Sequence, residues 1–386
     1  MNKKSFFFCI LLLASLFTNA QNISICIYSS SALTEFTFTA TKGKYDIIDN
    51  DKILFSLAEG ETANIRFNTY KSLIINDKKY NLHPELLIRG VAQTNKFTIA
   101  SPKKRFQTRT FDNDLIVRLN ENTITLINDV QFETYIAGVV EAEGGGKAKA
   151  EYYKAQAILC RSYATRYFEK HLADGYNLCD GVHCQAFKGT CKTPLILESA
   201  LETSGIVVVD TNQRIISATF FANSGGQTVN SEDIWSGSHY YLRSKPDPYS
   251  VGRPGYEWTK TFSEHDWRMY LLSKGFFVLE EETYDFTFNQ PERMKYFKFY
   301  EQDKLLELKT IRNDLQLRST FFSIVHDSVN NKIILKGKGY GHGVGLSQEG
   351  AMAMAEQGFT YDKIIQFYFT NVQLKNITSL NFFQVE

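Results

Sequence analysis

An α+β fold follows from three features of the chain: short runs that alternate apolar and polar residues as far as Pro102, one long helical signal between Glu141 and His171, and abundant aromatic residues. The expected organisation is a segment of residues 1–20, a small N-terminal β-rich domain of residues 21–105, and a mixed α/β core of residues 106–386. At 386 residues the chain can bury a sizeable core, and its length suits two or three domains. With 43 basic and 42 acidic side chains it has no field that would gather nucleic acid, so nucleic-acid binding is excluded as an expectation. The 21 Tyr and 30 Phe suit strands, or grooves that receive flat apolar faces such as sugar rings.

The chain opens "MNKKSFFFCILLLASLFTNAQN". Lys3 and Lys4 precede an apolar run from Phe6 to Phe17, and Thr18-Asn19-Ala20 is a small-residue exit. This is the pattern of a secretory signal peptide cleaved after Ala20. A membrane anchor would need about 20 apolar residues, more than this run supplies. Cys9 lies inside the run and is not placed for lipid attachment. No later stretch is long and apolar enough to span a bilayer, so the expectation is an exported protein: periplasmic, wall-associated or extracellular, with thiols that pair or hold metal.

From Ile23 onward, stretches such as "FTFTATKGKYDII" and "KSLIINDKKYNL" read as half-buried strands joined by Gly and Asn-Asp turns. "SPKKRFQTR" reads as a linker. In "LIVRLNENTITLINDVQFETYIAGVV" two further strands lead into an apolar segment ending at Val140. The stretch "EAEGGGKAKAEYYKAQAILCRSYATRYFEKH" follows, with Gly144 to Gly146 expected to mark the start of a helix. Tyr153, Ala157, Cys160, Ala164 and Phe168 recur at spacings of four and three, as a buried stripe should. Later come the β-like "SGIVVVDTNQRIISATFFANSGG", a helical "EHDWRMYLLSKG", mixed strands through Leu335, and two short closing helices.

Four stretches could carry chemistry. Glu141 and Glu143 sit at the expected helix entrance, where free N–H groups stabilise negative charge and would lower a carboxyl pKa unless apolar burial outweighs them. Ordinary N-terminal helix acids give the same pattern. In "YNLCDGVHCQAFKGTC", Cys179, His183 and Cys184 fall within six residues, with His171 eight before Cys179. Two thiolates and two imidazoles make a tetrahedral Zn²⁺ set, of structural character when all four positions are filled. A disulfide, Cys179 with Cys184 or Cys184 with Cys191, and a nucleophilic thiol beside a histidine base are the alternatives. In "ATFFANSGGQTVNSEDIWSG", the polar loop Asn223, Ser224, Gly225, Gly226, Gln227 running to Trp235 suits a sugar, or else is a hairpin turn with a buried Trp. Finally, "GKGYGHGVGLSQEGA" has glycine at every second position from Gly337 to Gly345. Read as extended chain, it puts Lys338, Tyr340, His342 and Val344 on one side and leaves the other bare for close approach. Ser347 reads as the N-cap of the next helix and Gly358 as its end.

Together, "LINDVQFETYIAGVVEAE", "KAQAILCRSYA", "YNLCDGVHCQAFKG", "ATFFANSGGQTVNSEDIW", "YLRSKPDP", "IRNDLQLRSTFFSI" and "GKGYGHGVGLSQEGAMAMAEQG" resemble, in order, the stage II sporulation protein D family, which includes the amidase enhancers of cell-wall lysis. The resemblance spans roughly Asp114 to Asn371. It implies a peptidoglycan lytic transglycosylase whose core bears a glycan-binding groove, with Glu143 as catalytic acid and Glu141 secondary. Where family members often read Glu-Met-Pro, this chain has Glu143-Gly144-Gly145, which loosens a helical turn that proline would stiffen. The resemblance also implies a structural zinc held by His171, Cys179, His183 and Cys184. Gln156 and Tyr163, with Arg161 nearer the edge, are expected to line the cleft; Asn223 to Gln227, Tyr340, His342 and Gln348 are expected to hold the glycan. The implied partners are peptidoglycan glycan strands and a cell-wall amidase, and the alternative function is a non-catalytic wall-binding regulator of that amidase.

Overall fold

A computed structural model describes residues 21–380 apart from 82, 84, 103–105, 280, 281, 300, 301 and 303. The expected signal peptide, residues 1–20, lies outside the described residues, as does the middle of the expected linker. Among the described residues, no helix is long and apolar enough to cross a membrane.

The alternating runs form strands for the reason their pattern gives. In Glu35–Lys42, Phe36, Phe38 and Ala40 are buried while the threonines between them face outward. The Asn-Asp pairs at 50–51 and 76–77 have positive φ at both residues, the backbone of a tight hairpin turn. These strands build a six-stranded sheet in the order Arg109–Asp112, Lys96–Ala100, Glu35–Lys42, Thr62–Thr69, Ser72–Ile75, Lys78–Asn81.

A second, seven-stranded sheet runs Leu178–Cys179, Asn22–Ile27, Ile124–Gln131, Asp114–Leu119, Glu85–Gly90, Tyr45–Asp49, Lys52–Leu57. It draws strands from both sides of residue 105, and one core holds Phe38, Tyr45 and Phe97 together with Val117, Tyr135 and Leu159. Asn22–Ile27 is the strand that brings the ends together. It pairs antiparallel with Ile124–Gln131 on one side and parallel with Leu178–Cys179 on the other.

Eight α-helices occur among the described residues: α1 Phe132–Gly144, α2 Ala150–Arg166, α3 Pro194–Glu202, α4 Ser231–Ile234, α5 Glu264–Ser273, α6 Leu308–Asp314, α7 Gln348–Glu356 and α8 Tyr361–Tyr368. The expected stripe Tyr153, Ala157, Cys160 and Ala164 is buried on α2, but Phe168 lies beyond its end. Burial also wraps around the helix, taking in 12 of its 17 residues, so α2 is a central core element and not an amphipathic surface helix. A separate core of Trp258, Trp267, Phe286, Phe297, Phe299 and Leu335 forms around α5 and the three-stranded sheet Glu257–Ser263, Lys332–Lys338, Phe322–Asp327.

Candidate functional site

The glycine run does not start a helix; it ends one. Gly144 is the last residue of α1, and Gly145 closes it with φ of 66°, a backbone that favours glycine. Glu141 and Glu143 therefore sit in the last turn of α1, not at a helix entrance. The last turn of α1 offers Glu143 no free N–H groups of its own helix.

The two acids then take different fates. Glu141 is fully engaged: Oε1 accepts the Thr193 N–H at 2.8 Å and the Thr193 hydroxyl at 2.7 Å, and both oxygens accept the Lys192 N–H at 3.0 Å. It anchors the start of α3. Glu143 Oε1 accepts the Ala186 N–H at 2.8 Å, and Oε2 makes no hydrogen bond among the described residues. Burial pushes the Glu143 carboxyl above its ordinary value, against smaller opposing effects of the Ala186 N–H and the Lys188 charge. A carboxyl with one free oxygen, raised pKa and access to a cleft can give a proton and take it back.

That cleft, about 360 Å³, is lined by Glu143, Tyr163, Val182, Cys184, Gln185, Ala218, Thr219, Phe220, Trp235 and His342. Among these described residues Glu143 is the one carboxylate. Trp235 stands 37% exposed with its ring centroid 5.0 Å from that of His342. An exposed indole beside a polar cleft is a stacking surface for a sugar face. His342 donates from Nε2 to the Phe220 carbonyl at 3.0 Å and accepts the Val344 N–H at Nδ1, 3.1 Å. Burial pushes its pKa down to about 4, so it is a neutral, fixed ring and no proton donor near neutrality.

Other expected site residues lie elsewhere. Gln156 and Arg161 are fully buried and do not line the cleft. Arg161 is bound to Glu133 at 2.5 Å and to the carbonyls of Ile206 and Ala200 at 3.0 Å, because the α2 face that carries it packs on α1 and α3. Asn223 and Ser224 are also buried. Asn223 donates to the Ser250 carbonyl and to Glu349, and Ser224 to Asp247, so both brace the loop from within. Gly225, Gly226 and Gln227 line a different cavity, with Lys245, Tyr256 and Lys338. Gln348 donates to the main-chain oxygen of Glu143 at 3.1 Å; it holds the end of α1 instead of facing the cleft. Tyr340 is half exposed, with the Arg318 guanidinium over its ring.

The 337–345 stretch departs from the extended reading. The strand ends at Lys338, and Gly339, Gly341, Gly343 and Gly345 have φ between 80° and 112°. Val344 is buried while Tyr340 is 50% exposed, so the side chains do not share a face. Close approach does occur, but from the protein itself: a Cβ on Gly339 would meet the Asn223 oxygen at 2.7 Å, and one on Gly345 the Thr219 oxygen at 2.3 Å. Ser347 does cap α7, accepting the Gly350 N–H.

His171, Cys179, His183 and Cys184 come together, with one ligand atom from each lying within 4.8 Å of the others. The cysteines among the described residues are free, so neither disulfide of the alternative reading is present. His171 Nε2 is buried without a hydrogen-bond partner, while its Nδ1 is held by Asp174 at 3.0 Å. An orphaned ring nitrogen whose far side is oriented by a carboxylate is the arrangement a metal-bound histidine needs. The nucleophilic-thiol alternative fares poorly. Burial pushes Cys184 up to about 11, opposite to what a reactive thiolate requires. Cys184 also lines the Glu143 cleft, so one member of the His/Cys cluster belongs to its wall.

Sequence reading missed Gln185, Lys188 and the Ala186 N–H, although all three lie inside the quoted Cys/His stretch. The signal was present, but the cysteines and histidines there drew the chemistry to themselves.

A family model described as Stage II sporulation protein matches residues 120–217. Stage II sporulation protein D of Bacillus subtilis (strain 168) is 30% identical over 64% of this chain and 75% of its own length. The protein of the same name from Bacillus amyloliquefaciens is 28% identical over 66% of this chain and 76% of its own length. The Amidase enhancer of Bacillus subtilis (strain 168) is 24% identical over 83% of this chain and 51% of its own length. The match to residues 120–217 covers Glu143 and the His/Cys cluster, and with these relatives it shows that the chain belongs to the stage II sporulation protein D family.

Proposed function

We propose that this protein acts in the cell wall as an exported peptidoglycan lytic transglycosylase, with Glu143 as acid and then base. The observation that carries the reading is a cleft with a single carboxylate among the described residues, raised in pKa and half free, next to an exposed indole. A glycosidase that admits water needs two carboxyl groups. A transglycosylase that closes the sugar on itself needs one.

In this mechanism protonated Glu143 donates its proton to the glycosidic oxygen as the bond to C1 of N-acetylmuramic acid breaks. The positive charge spreads over C1 and the ring oxygen. The 6-hydroxyl oxygen of the same sugar then bonds to C1, and its proton passes to the Glu143 carboxylate, restoring the acid and leaving a 1,6-anhydro ring. The Ala186 N–H on Oε1 orients the carboxyl and leaves Oε2 for the transfer. Trp235 carries a sugar face, and neutral His342 keeps that wall rigid through both ring nitrogens.

His171, Cys179, His183 and Cys184 would hold a zinc ion, with Asp174 orienting His171. A four-ligand site leaves no open position, so the ion would staple a cleft wall and supply no chemistry to the sugar.

The test is product analysis. Mature protein incubated with whole and peptide-stripped peptidoglycan should release 1,6-anhydro products seen by mass spectrometry, and Glu143→Gln should not. A second reading is favoured by one finding, the relative named Amidase enhancer: a wall-binding regulator that stimulates a cell-wall amidase. Sedimentation with peptidoglycan, without any anhydro product but with stimulation of an added amidase, would support that reading instead.

A further inference from the structure

A buried amide without hydrogen-bond partners costs stability, and one kept beside a reactive group points to a ligand that supplies them. Gln185 is such a residue. It lines the Glu143 cleft, is only 3% exposed, and neither Oε1 nor Nε2 has a hydrogen-bond partner among the described residues. No other residue lining that cleft, among those described, has buried side-chain polar atoms in this condition. The Cys160 thiol is near enough to interact with the amide. Sulfur is a weak partner, however, and Cys160 already accepts from Gln156 Nε2 at 3.6 Å.

The main chain fixes where this amide stands. Gln185 follows Cys184 of the His/Cys cluster and precedes Ala186, whose N–H holds Glu143 Oε1 at 2.8 Å. The Cys184 N–H donates to the Gly181 carbonyl at 3.0 Å and the Phe187 N–H to that of Asp180 at 3.2 Å, so the backbone is held on both sides. The amide end is not held. Its terminal torsion is broad and turns at little cost, so the amide can swing from the closed wall to a group that enters the cleft.

The reaction brings a matching group to that place. Glu143 must reach the oxygen on C1 of N-acetylmuramic acid, and C2, bonded directly to C1, carries the acetamido group. A sugar seated for proton transfer therefore carries an amide into the part of the cleft that holds Glu143. Its carbonyl is an acceptor for a carboxamide NH2.

We propose that Gln185 is a specificity-determining residue that reads the 2-acetamido group of the sugar at the cleavage point, with Nε2 donating to its carbonyl. The inference rests on the glycan reading above and adds to it the substituent that the cleft selects. A strand without the acetyl group leaves the Gln185 amide unmet in a desolvated wall, and sites built this way reject such analogues.

Equilibrium binding tests it. The protein carrying Glu143→Gln, to stop turnover, is titrated with peptide-stripped glycan strands, with the same strands after chemical removal of their N-acetyl groups, and with the latter re-acetylated as a control. The acetylated and re-acetylated strands should bind about tenfold or more tighter than the de-N-acetylated one. Adding Gln185→Leu should shrink that ratio toward one, mainly by weakening the acetylated strand. Effects of the new amine that are common to both proteins cancel in this comparison. Because Gln185→Leu removes an unmet buried amide at nearly constant bulk, the variant should melt at the same temperature or higher. A folded Gln185→Leu protein with an unchanged ratio, or one that binds both strand forms more weakly to the same degree, would overturn the acetamido reading and leave cleavage by Glu143 standing. A lowered melting temperature with the ratio intact would show that the amide serves the fold, and would overturn it too. No binding of any strand before the Gln185 change would overturn the inference together with the glycan reading beneath it.

Discussion

At the scale of single residues, the separation of Glu143 from Glu141 decides the chemistry. They lie two apart on one helical turn, yet one is saturated by donors from Lys192 and Thr193 and the other keeps a free oxygen in a cleft. Glu143→Gln should therefore lower turnover by about 10²-fold or more, the usual contribution of a general acid. The raised carboxyl pKa fixes the direction of two pH effects. The first step needs the protonated acid, so activity falls as pH rises through the Glu143 pKa. Lys188 holds that pKa down, and Lys188→Gln should move the falling limb to higher pH. Stability runs in the same direction. With a folded pKa above the ordinary 4.5, the protein loses stability as pH rises from that value through the folded one. Glu143→Gln should then be the more stable protein at neutral pH, and thermal melts of the two should converge below about pH 4.

At the scale of elements, the ends of α1 and α3 are tied to each other through Glu141. Glu141→Ala should cost about 1–3 kcal/mol by denaturant unfolding, because it strips the N–H groups at the start of α3 of their acceptor. The His/Cys cluster joins three segments: the loop after α2, the edge strand Leu178–Cys179 and the turn at His183–Cys184. If it holds zinc, Asp174→Ala should weaken metal affinity by about 10–100-fold, read by competition with a chromogenic chelator, through loss of the brace on His171. The strands, α5, α7 and the grouping of His171, Cys179, His183 and Cys184 were legible in sequence, because alternation, an N-cap serine and close Cys/His spacing are local signals. The end of α1 was not. Three glycines read equally as the start of one helix or the stop of another, and only the positive φ of Gly145 tells which. Arg161 misled for a related reason: the periodicity of α2 marks one buried stripe, whereas burial surrounds the helix and takes the guanidinium with it.

At the scale of the whole molecule, what sequence could not convey is which distant segments meet. The Glu143 cleft joins α1, the Cys184–Gln185 turn, residues 218–220, Trp235 and His342, which are separated by up to about two hundred positions. No local pattern encodes that, and the ordered blocks of the family resemblance were the one trace of it. The same long-range pairing bears on domain structure. Asn22–Ile27 forms ladders with Ile124–Gln131 and with Leu178–Cys179, the strand that carries a cluster thiol. Removing residues 21–105 should leave a chain without cooperative unfolding by circular dichroism, since the cleft wall would lose the strand that supports it. A truncated chain that melts sharply and matches the full chain in the proposed wall-degrading activity would show instead that the N-terminal strands are dispensable.

The central claim is that one carboxyl serves twice while the cleaved sugar closes on itself. Mass spectrometry of the reaction products from peptide-stripped glycan, with wild type beside Glu143→Gln, tests it most directly. The account predicts chains ending in 1,6-anhydro-N-acetylmuramic acid from the wild type and no new ends from the variant. Ends that carry an added water, or anhydro ends produced equally by both proteins, would contradict it.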